Sequence, residues 1–433
     1  MTKRKMIIKN GTFAVLQNEK NVLSGYMVVE DDLITYIGEQ EPQVEEGTEV
    51  VDGTHLFFLP GLINTHGHTA MSLLRGYGDD MVLQAWLQEK MWPMEGKFTA
   101  EDVYWGTSLS VLEMLKGGTT TFLDMYDHMD QVASVTEQSG IRGVLTRGVI
   151  GLCPPDIQKH KLEEATAFAK NWNGKANGRI TTMISPHAPY TCPPDYIEKF
   201  VQIAHELDLP LHTHMSETAA EVEQNVKDYG ERPVAHLLKL GVFSRPTLVA
   251  HGVHLTDEEI EILAAHNVAV SHNPGSNLKL ASGVARVPEL LKAGVTVSLG
   301  TDGPASNNNL DMFEEMRLAA LIHKGVSGDP TAIPALEALR MGTEYGAKSL
   351  FLEGVGRLDV GMKADFIALN TDQAHFLPHT DFISHAIYSA SAKDVEHVWI
   401  DGKQIVQNGA CLTLDEEKIR REAQRAFERL LTR

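Results

Sequence analysis

The sequence predicts a (β/α)8, TIM-type barrel carrying a small β-sandwich built from both chain ends. Three observations lead there. From about residue 60 to 355, apolar strand-like runs alternate with helical ones, the pattern of a parallel sheet. Short strands with turns precede that region and return after it. Nearly every strand of the middle region also ends in a polar side chain, at the end where barrels gather their active sites. The expected division is a first sandwich part at 1–59, a catalytic barrel at 60–355, and a second sandwich part with a C-terminal helix at 356–433. An open doubly wound sheet is the alternative for the middle segment.

Taken in order, "KMIIKNGTFAVL", "GYMVVEDDLITYIGE" and "EVVDGTHLFF" read as strands, with Asn10-Gly11 expected to turn a hairpin. "LINTHGHTA" follows, an apolar run that ends in His66 and His68. "GIRGVLTRGVI" and "RITTMISPHAPY" are the next strands, the second leading into the helical "PDYIEKFVQIAHEL". Then come "PLHTHMSE", a helical stretch to Leu240, "TLVAHGVH", the helix "TDEEIEILAAH", "VAVSHNP", the helix "VPELLKAG" and "VTVSLGTD". Strand texture returns in "ADFIALN" and in "VEHVWIDGKQIVQNG", with a turn at Asp401-Gly402. The segment "TLDEEKIRREAQRAFERLLTR" is an amphipathic helix. Thr413 and Glu416 suit a capping box there, and Ile419, Ala423, Phe427 and Leu430 form one apolar stripe.

Composition narrows the function. With 43% apolar and 22% charged residues over 433 positions, this is an ordinary globular chain. Thirty-eight basic against 58 acidic residues give a net charge of −20, which argues against a nucleic-acid or anionic-membrane partner and for a small-molecule one. Cys153, Cys192 and Cys411 form no CxxC pair, so a reducing, cytoplasmic setting is expected. The basic start "MTKRKMIIKN" lacks the long apolar run of a signal peptide, and no run approaches membrane-spanning length. Oligomeric state is left open, a homo-oligomer included.

The strand ends carry the chemistry. They are His66 and His68, Asp124, Arg147, His187, His212 with His214, His251, Asn273 and Asp302. Residues two apart on a strand share a face, so His66 and His68 point together, as do His212 and His214. The first pair, a histidine from "HTHMSE" and Asp302 make three nitrogens and one oxygen, a set suited to a catalytic metal with an open position. Glu217, three residues after His214, is placed to carry protons beside such a metal. His251 can hydrogen-bond the attacking water or the leaving group, while His212 and His254 read as supporting residues. A binuclear centre would call for a bridging lysine, and no strand ends in one, so one metal is expected.

"PGLINTHGH", "HTHMSE", "LVAHGVHL" and "LGTDGPASNNNLDMFEEM", in this order and spacing, resemble the amidohydrolase superfamily in its aminohydrolase branch. With "LLRGYGDDMVLQAWLQEKMWPMEGKFTAEDVYWG", the chain is most similar to the group of deaminases acting on 5′-methylthioadenosine and S-adenosylhomocysteine. The resemblance implies that His66, His68, His214 and Asp302 bind one divalent ion, normally Zn2+. It implies that Glu95, Arg147, His187 and Glu217 contact an adenine nucleoside, with Glu217 the proton carrier. Some relatives place a second arginine about a dozen residues after the one matching Arg147. This chain reads "CPPDIQKHK" there, with Lys159 as the candidate substitute. Glu95, after the apolar "KMWPM", suits hydrogen bonds from both ribose hydroxyls, and Trp86 and Trp92 suit apolar surface for a thioether. Two alternatives stand beside this reading: a hydrolase of other amino- or chloro-substituted heteroaromatics such as guanine or triazines, and a catalytically silent scaffold.

Overall fold

The computed structural model describes residues 4–17 and 20–433. The first residues of the basic N-terminal stretch, Met1 to Lys3, lie outside that description. Two layers of strand pairing organise the chain. An outer sheet begins with β1 (Lys5–Gln17), β2 (Lys20–Glu30), β3 (Leu33–Gly38), β4 (Glu49–Asp52) and β5 (Leu56–Pro60). The barrel follows, with β6 (Leu62–Asn64), β7 (Thr119–Tyr126), β8 (Arg142–Val149), β9 (Ile180–Thr182), β10 (Ser185–Pro186), β11 (Leu211–Met215), β12 (Thr247–His251), β13 (Ala269–His272) and β14 (Val297–Leu299). β15 (Phe366–Asn370), β16 (Val395–Ile400), β17 (Lys403–Gln407) and β18 (Ala410–Cys411) then return to the outer sheet.

The barrel strands pair in parallel as two arcs, β6 through β10 and β11 through β14. Parallel pairing of Ile184 with Leu211 joins one seam between the arcs. At the other seam the Thr65 amide donates to the Leu299 carbonyl at 2.9 Å, and the Thr65 hydroxyl meets Ser271 and Ser298 at 2.7 and 2.9 Å. The barrel is therefore closed, and the open doubly wound sheet is not the architecture. Side-chain alternation divides its strands between two cores. Ile63, Leu123, Val144, Met183, Leu248 and Ala269 fill the interior, with Ala347 and Leu350 packed against them. Phe122, Leu145, Leu211, Val249 and Val270 face the surrounding helices.

The outer sheet runs β18-β17-β16-β15-β5-β1-β2-β3, with β4 also on β1. Both chain ends thus share one sheet, joined where β5 and β15 pair antiparallel from Leu56–Asn370 to Pro60–Phe366. Phe13, Phe58, Phe366 and Trp399 bury one face, with Phe13 and Phe58 stacked at 5.0 Å. Phe57 and Leu59, on the opposite face, join the barrel's outer core.

Two local expectations are corrected. Asn10-Gly11 makes no hairpin: β1 continues through it, and a register shift between Ile8 and Gly11 marks a bulge with Asn10 at φ 58°. Asn-Gly supplies left-handed backbone, and here that bends one strand so that it pairs first with β4 and then with β5. Thr413 and Glu416 form no capping box. The helix spans Glu416–Thr432 with Asp415 as its cap, accepting the Lys418 amide. Thr413 donates instead to the Ser139 carbonyl, and Glu416 accepts the Cys411 amide. The stripe also shifts: Ala426 is buried with Ile419, Ala423 and Leu430, while Phe427 is half-buried.

Candidate active site

One end of the barrel opens into a cavity of about 500 Å3. His66 lies at its floor, just past β6. Its backbone is met closely by β14, because Gly300 lacks the Cβ that would sit 2.8 Å from the His66 nitrogen. What stands behind each imidazole assigns its protons. His212 Nδ1 lies 2.9 Å from the Leu248 carbonyl and donates to it, so His212 Nε2 accepts from His66 Nδ1 at 3.0 Å. His66 Nε2 is left with a lone pair, buried and without a hydrogen-bond partner. His68 Nδ1 donates to the Met125 carbonyl at 2.6 Å, and His214 Nδ1 to the His187 carbonyl at 2.8 Å.

Three Nε2 lone pairs therefore face one another, those of His68 and His214 only 3.4 Å apart. Such an arrangement is repulsive unless a positive charge lies among them, whether a metal ion or a proton on His68. Asp302 supplies the anion, with Oδ1 3.4 Å from His66 Nε2 and 3.3 Å from His68 Nε2. Its other oxygen accepts from the hydroxyls of Ser276 and Ser306 at 2.7 and 2.9 Å. Burial lowers His66 to about 4 and holds His214 well below the usual imidazole value, which keeps both rings neutral. Burial also opposes the charge of His68, but Asp302 outweighs it and raises His68 to about 9. Burial opposes the charge of Asp302 too, yet His66 and His68 hold its carboxyl well below the usual range. The pocket calls for positive charge. His66, His68 and His214 form one group able to hold a metal ion, and His66, His251 and Asp302 form another around the same point.

Proton-carrying groups surround this cluster. Glu217 is buried, with its Oε2 3.7 Å from His251 Nε2 and its Oε1 accepting from Ser282 at 3.3 Å. Burial raises its pKa. His251 Nδ1 lies 2.9 Å from Asn277 Oδ1 and 3.3 Å from Asn273 Nδ2. His187, hydrogen-bonded to the Thr191 hydroxyl, is lowered to about 3 by burial and then by the charge of His68. Ser216, His251 and Asp302, each just past or at a strand end, all have left-handed φ, at 53°, 76° and 62°. Non-glycine residues in that region gather at functional sites.

Away from the cluster, the wall is apolar and aromatic, with Trp86, Trp92 and Phe98 lining it. Glu95 closes the short helix Trp92–Glu95, and Tyr126 donates to its Oε1 at 2.6 Å. Burial raises the Glu95 carboxyl. Arg147 lines the mouth and pairs with Asp127 at 3.0 Å and Glu164 at 3.5 Å.

Of the strand-end residues, His68, His187, His214, His251 and Asp302 line the cavity, His66 lies fully buried beside them, and Arg147 reaches the rim. Asp124 does not: it lies on the opposite face of β7 from Leu123 and accepts from the amide and hydroxyl of Thr69, at 2.8 and 2.6 Å. Asn273 acts through His251. Lys159 is exposed and pairs with Glu163, while Lys161, two residues further along the helix Pro155–Trp172, lines the cavity. His254 hydrogen-bonds the Ser282 carbonyl. Tyr126, Ser282 and Glu221 were not singled out from the sequence. Alternation does not find the tyrosine: Tyr126 shares its parity on β7 with Asp124, which faces away from the cavity, yet at the strand's last position it joins the lining.

The Amidohydrolase family profile matches residues 57–405. The chain belongs to the amidohydrolase family. It is 49% identical to the 5-methylthioadenosine/S-adenosylhomocysteine deaminase of Halalkalibacterium halodurans, over 98% of each chain. Among solved structures it resembles a zinc-bound adenosine deaminase from Xanthomonas campestris, with a TM-score of 0.92, 34% identity and 99% of each chain covered. A triazine hydrolase variant matches with a TM-score of 0.91 at 25% identity, over 98% of this chain and 99% of the other. For this amidohydrolase a divalent metal is therefore indicated, and the histidine–aspartate cluster is able to bind it. Among the described residues, no helix is long and apolar enough to cross a membrane.

Proposed function

We propose that this protein hydrolyses the 6-amino group of adenine nucleosides bearing a 5′-thioether. Its substrates are 5′-methylthioadenosine and S-adenosylhomocysteine, and adenosine is a further candidate. The products are the inosine derivative and ammonia. One observation carries the reading: a single cavity joins the imidazole–carboxylate cluster to a half-buried carboxylate, Glu95, set in an aromatic wall. A bare heterocycle needs no such group; a ribose offers it two hydroxyls. The deaminase name of the relative at 49% identity supports the same substrate class.

In this reading one Zn2+ per chain is held by His66, His68, His214 and Asp302, and residues 60–355 form the catalytic unit between the two parts of the outer sheet. The ion would supply a nucleophile at neutral pH by lowering the pKa of water to about 7. The remaining work belongs to the chain. Glu217 takes one proton as oxygen attacks the ring carbon and gives it to the adjacent ring nitrogen; as the C–N bond breaks, it passes the second proton, taken up first by Asp302, to the departing amine. His251 orients the attacking oxygen, and Asp302 stands ready to take its second proton. His187 hydrogen-bonds the nucleoside, and Glu95, oriented by Tyr126, accepts from the ribose hydroxyls. Arg147 faces the carboxylate of the longer substrate in competition with Asp127 and Glu164.

The test is ammonia release by the metal-replete protein against three adenine nucleosides, free adenine, guanine and a triazine. Glu95→Ala should lower kcat/KM far more for nucleosides than for free adenine, because a site built for a hydroxyl leaves buried groups unpaired without it. Arg147→Ala should harm S-adenosylhomocysteine more than 5′-methylthioadenosine. A preference for guanine or the triazine, or equal losses on every substrate, overturns the assignment.

A further inference from the structure

Glu217 has little that fixes its own side chain. Its carboxylate meets Ser282 at 3.3 Å and His251 at 3.7 Å, both long contacts. A group that must reach two substrate atoms in turn needs a mobile end on a fixed base, so the backbone beneath it has to be held. That backbone is unusual. β11 ends at Met215, and Ser216 turns the chain with φ 53°, a left-handed conformation that L-residues adopt reluctantly. The serine hydroxyl is buried without a hydrogen-bond partner, so the turn is not there to serve that side chain.

The restraint comes from Glu221, in the first turn of the helix Ala219–Tyr229. Its carboxylate is buried, 3% exposed. One oxygen accepts the Ser216 amide at 2.8 Å and the other accepts the Glu217 amide at 2.7 Å. From the opposite side the Ser216 carbonyl accepts the amides of Val253 and His254, each at 3.0 Å. Thr218 caps the helix and holds the Glu221 amide at 3.1 Å, so the clasp is anchored to a rigid element. Neither oxygen of Glu221 points into the substrate cavity, and no other side chain bonds both amides of the turn.

We propose that Glu221 is a positioning residue for the reaction. By clasping two consecutive amides it holds Ser216 in its left-handed state and so sets where Glu217 stands over the histidine–aspartate cluster. The proposal rests on Glu217 being the proton carrier. Glu221→Gln keeps the shape of the side chain but turns an amide donor toward a backbone donor. We expect kcat to fall about 10- to 100-fold, with metal content and KM unchanged, since small misplacements of a reacting group cost that much. Two further variants separate positioning from plain destabilisation. In a Glu217→Gln background, Glu221→Gln should cost nothing more, because groups that act as a unit are not additive. Ser216→Gly, which adopts the left-handed turn without steric penalty, should restore several-fold of the rate lost in Glu221→Gln. Should Glu221→Gln not fold, Glu221→Asp, which retracts the clasp by one carbon, is measured in the same way. Wild-type kcat in the Glu221 variant, full additivity with Glu217→Gln, or loss of metal alongside rate overturns the proposal. A Glu217→Gln protein of near wild-type rate overturns instead the reading on which it rests.

Discussion

Behind His66 stands His212, and behind His212 the carbonyl of Leu248, so the proton position on one ring is dictated two residues away. Removing that support without touching a proposed ligand is informative. His212→Leu should weaken metal affinity about 10- to 100-fold, as loss of an outer partner does, measured by competition with a chelator. Changing His66 and His68 together to alanine should instead abolish bound metal and turnover. Glu217→Gln should keep its metal and lose roughly 10²–10⁴-fold in rate, the usual scale for general acid–base steps. Full metal occupancy in the double-alanine protein, by elemental analysis, would remove the ligand assignment. Much of this was legible in the sequence, because period-2 alternation tells which residues share a face. What alternation cannot tell is whether that face looks inward. Asp124 was read as a cavity residue and turned out to hold Thr69 on the other side of its strand.

Among the elements, the contact between β13 and the helix Met312–Ser327 contains a pair of buried imidazoles, His272 and His323, with Nε2 atoms 3.4 Å apart. Burial lowers His323 to about 4, with Glu289 raising it and Lys324 lowering it further. An unfolded histidine titrates near 6.5. Between those values the unfolded chain binds more protons than the folded one, so this contribution is complete above pH 6.5 and is lost as pH falls toward 4. At pH 5 the loss is about 2 kcal/mol. The fall in Tm from pH 7 to pH 5 should therefore be shallower in His323→Gln than in the wild type; parallel curves would refute it. Element types were readable because strands and helices differ in apolar period. Their exact ends were not: Asp415 caps the last helix because its side chain reaches the Lys418 amide, while Thr413 is drawn away to Ser139, a tertiary partner no local pattern announces.

Across the whole molecule, the barrel and the outer sheet are fastened by Arg142 at the start of β8. It binds Asp365 through Nε at 2.9 Å and Asp401, in the β16–β17 turn, at 2.6 Å. Arg142→Met would leave the buried Asp365 without a cation and Asp401 with Arg179 alone, at 4.0 Å, a loss of about 3–5 kcal/mol. The expected result is a Tm several degrees lower, partly regained when Asp365→Asn and Asp401→Asn are added. An unchanged Tm in the single variant would show that the fastening is idle. That both chain ends meet in one sheet was legible from strand texture alone; that a salt bridge on a barrel strand pins them was not, because its partners lie far apart in sequence.

The pairing of β5 with β15 also sets an order of events during synthesis. Phe57 and Phe58 leave the ribosome early, and β1 can cover one edge of their strand at once. The other edge waits for Leu369 and its neighbours, which emerge only after every barrel strand has been made. At ~5–20 residues per second, that wait lasts roughly 15–60 s. An open apolar edge is a template for any passing strand, including the same edge on a neighbouring nascent chain. The growing barrel is what stands next to it meanwhile, since Phe57 and Leu59 pack on the barrel's outer core. Slow translation through the barrel would thus lengthen the exposure of this edge, and crowding on a polysome would test it.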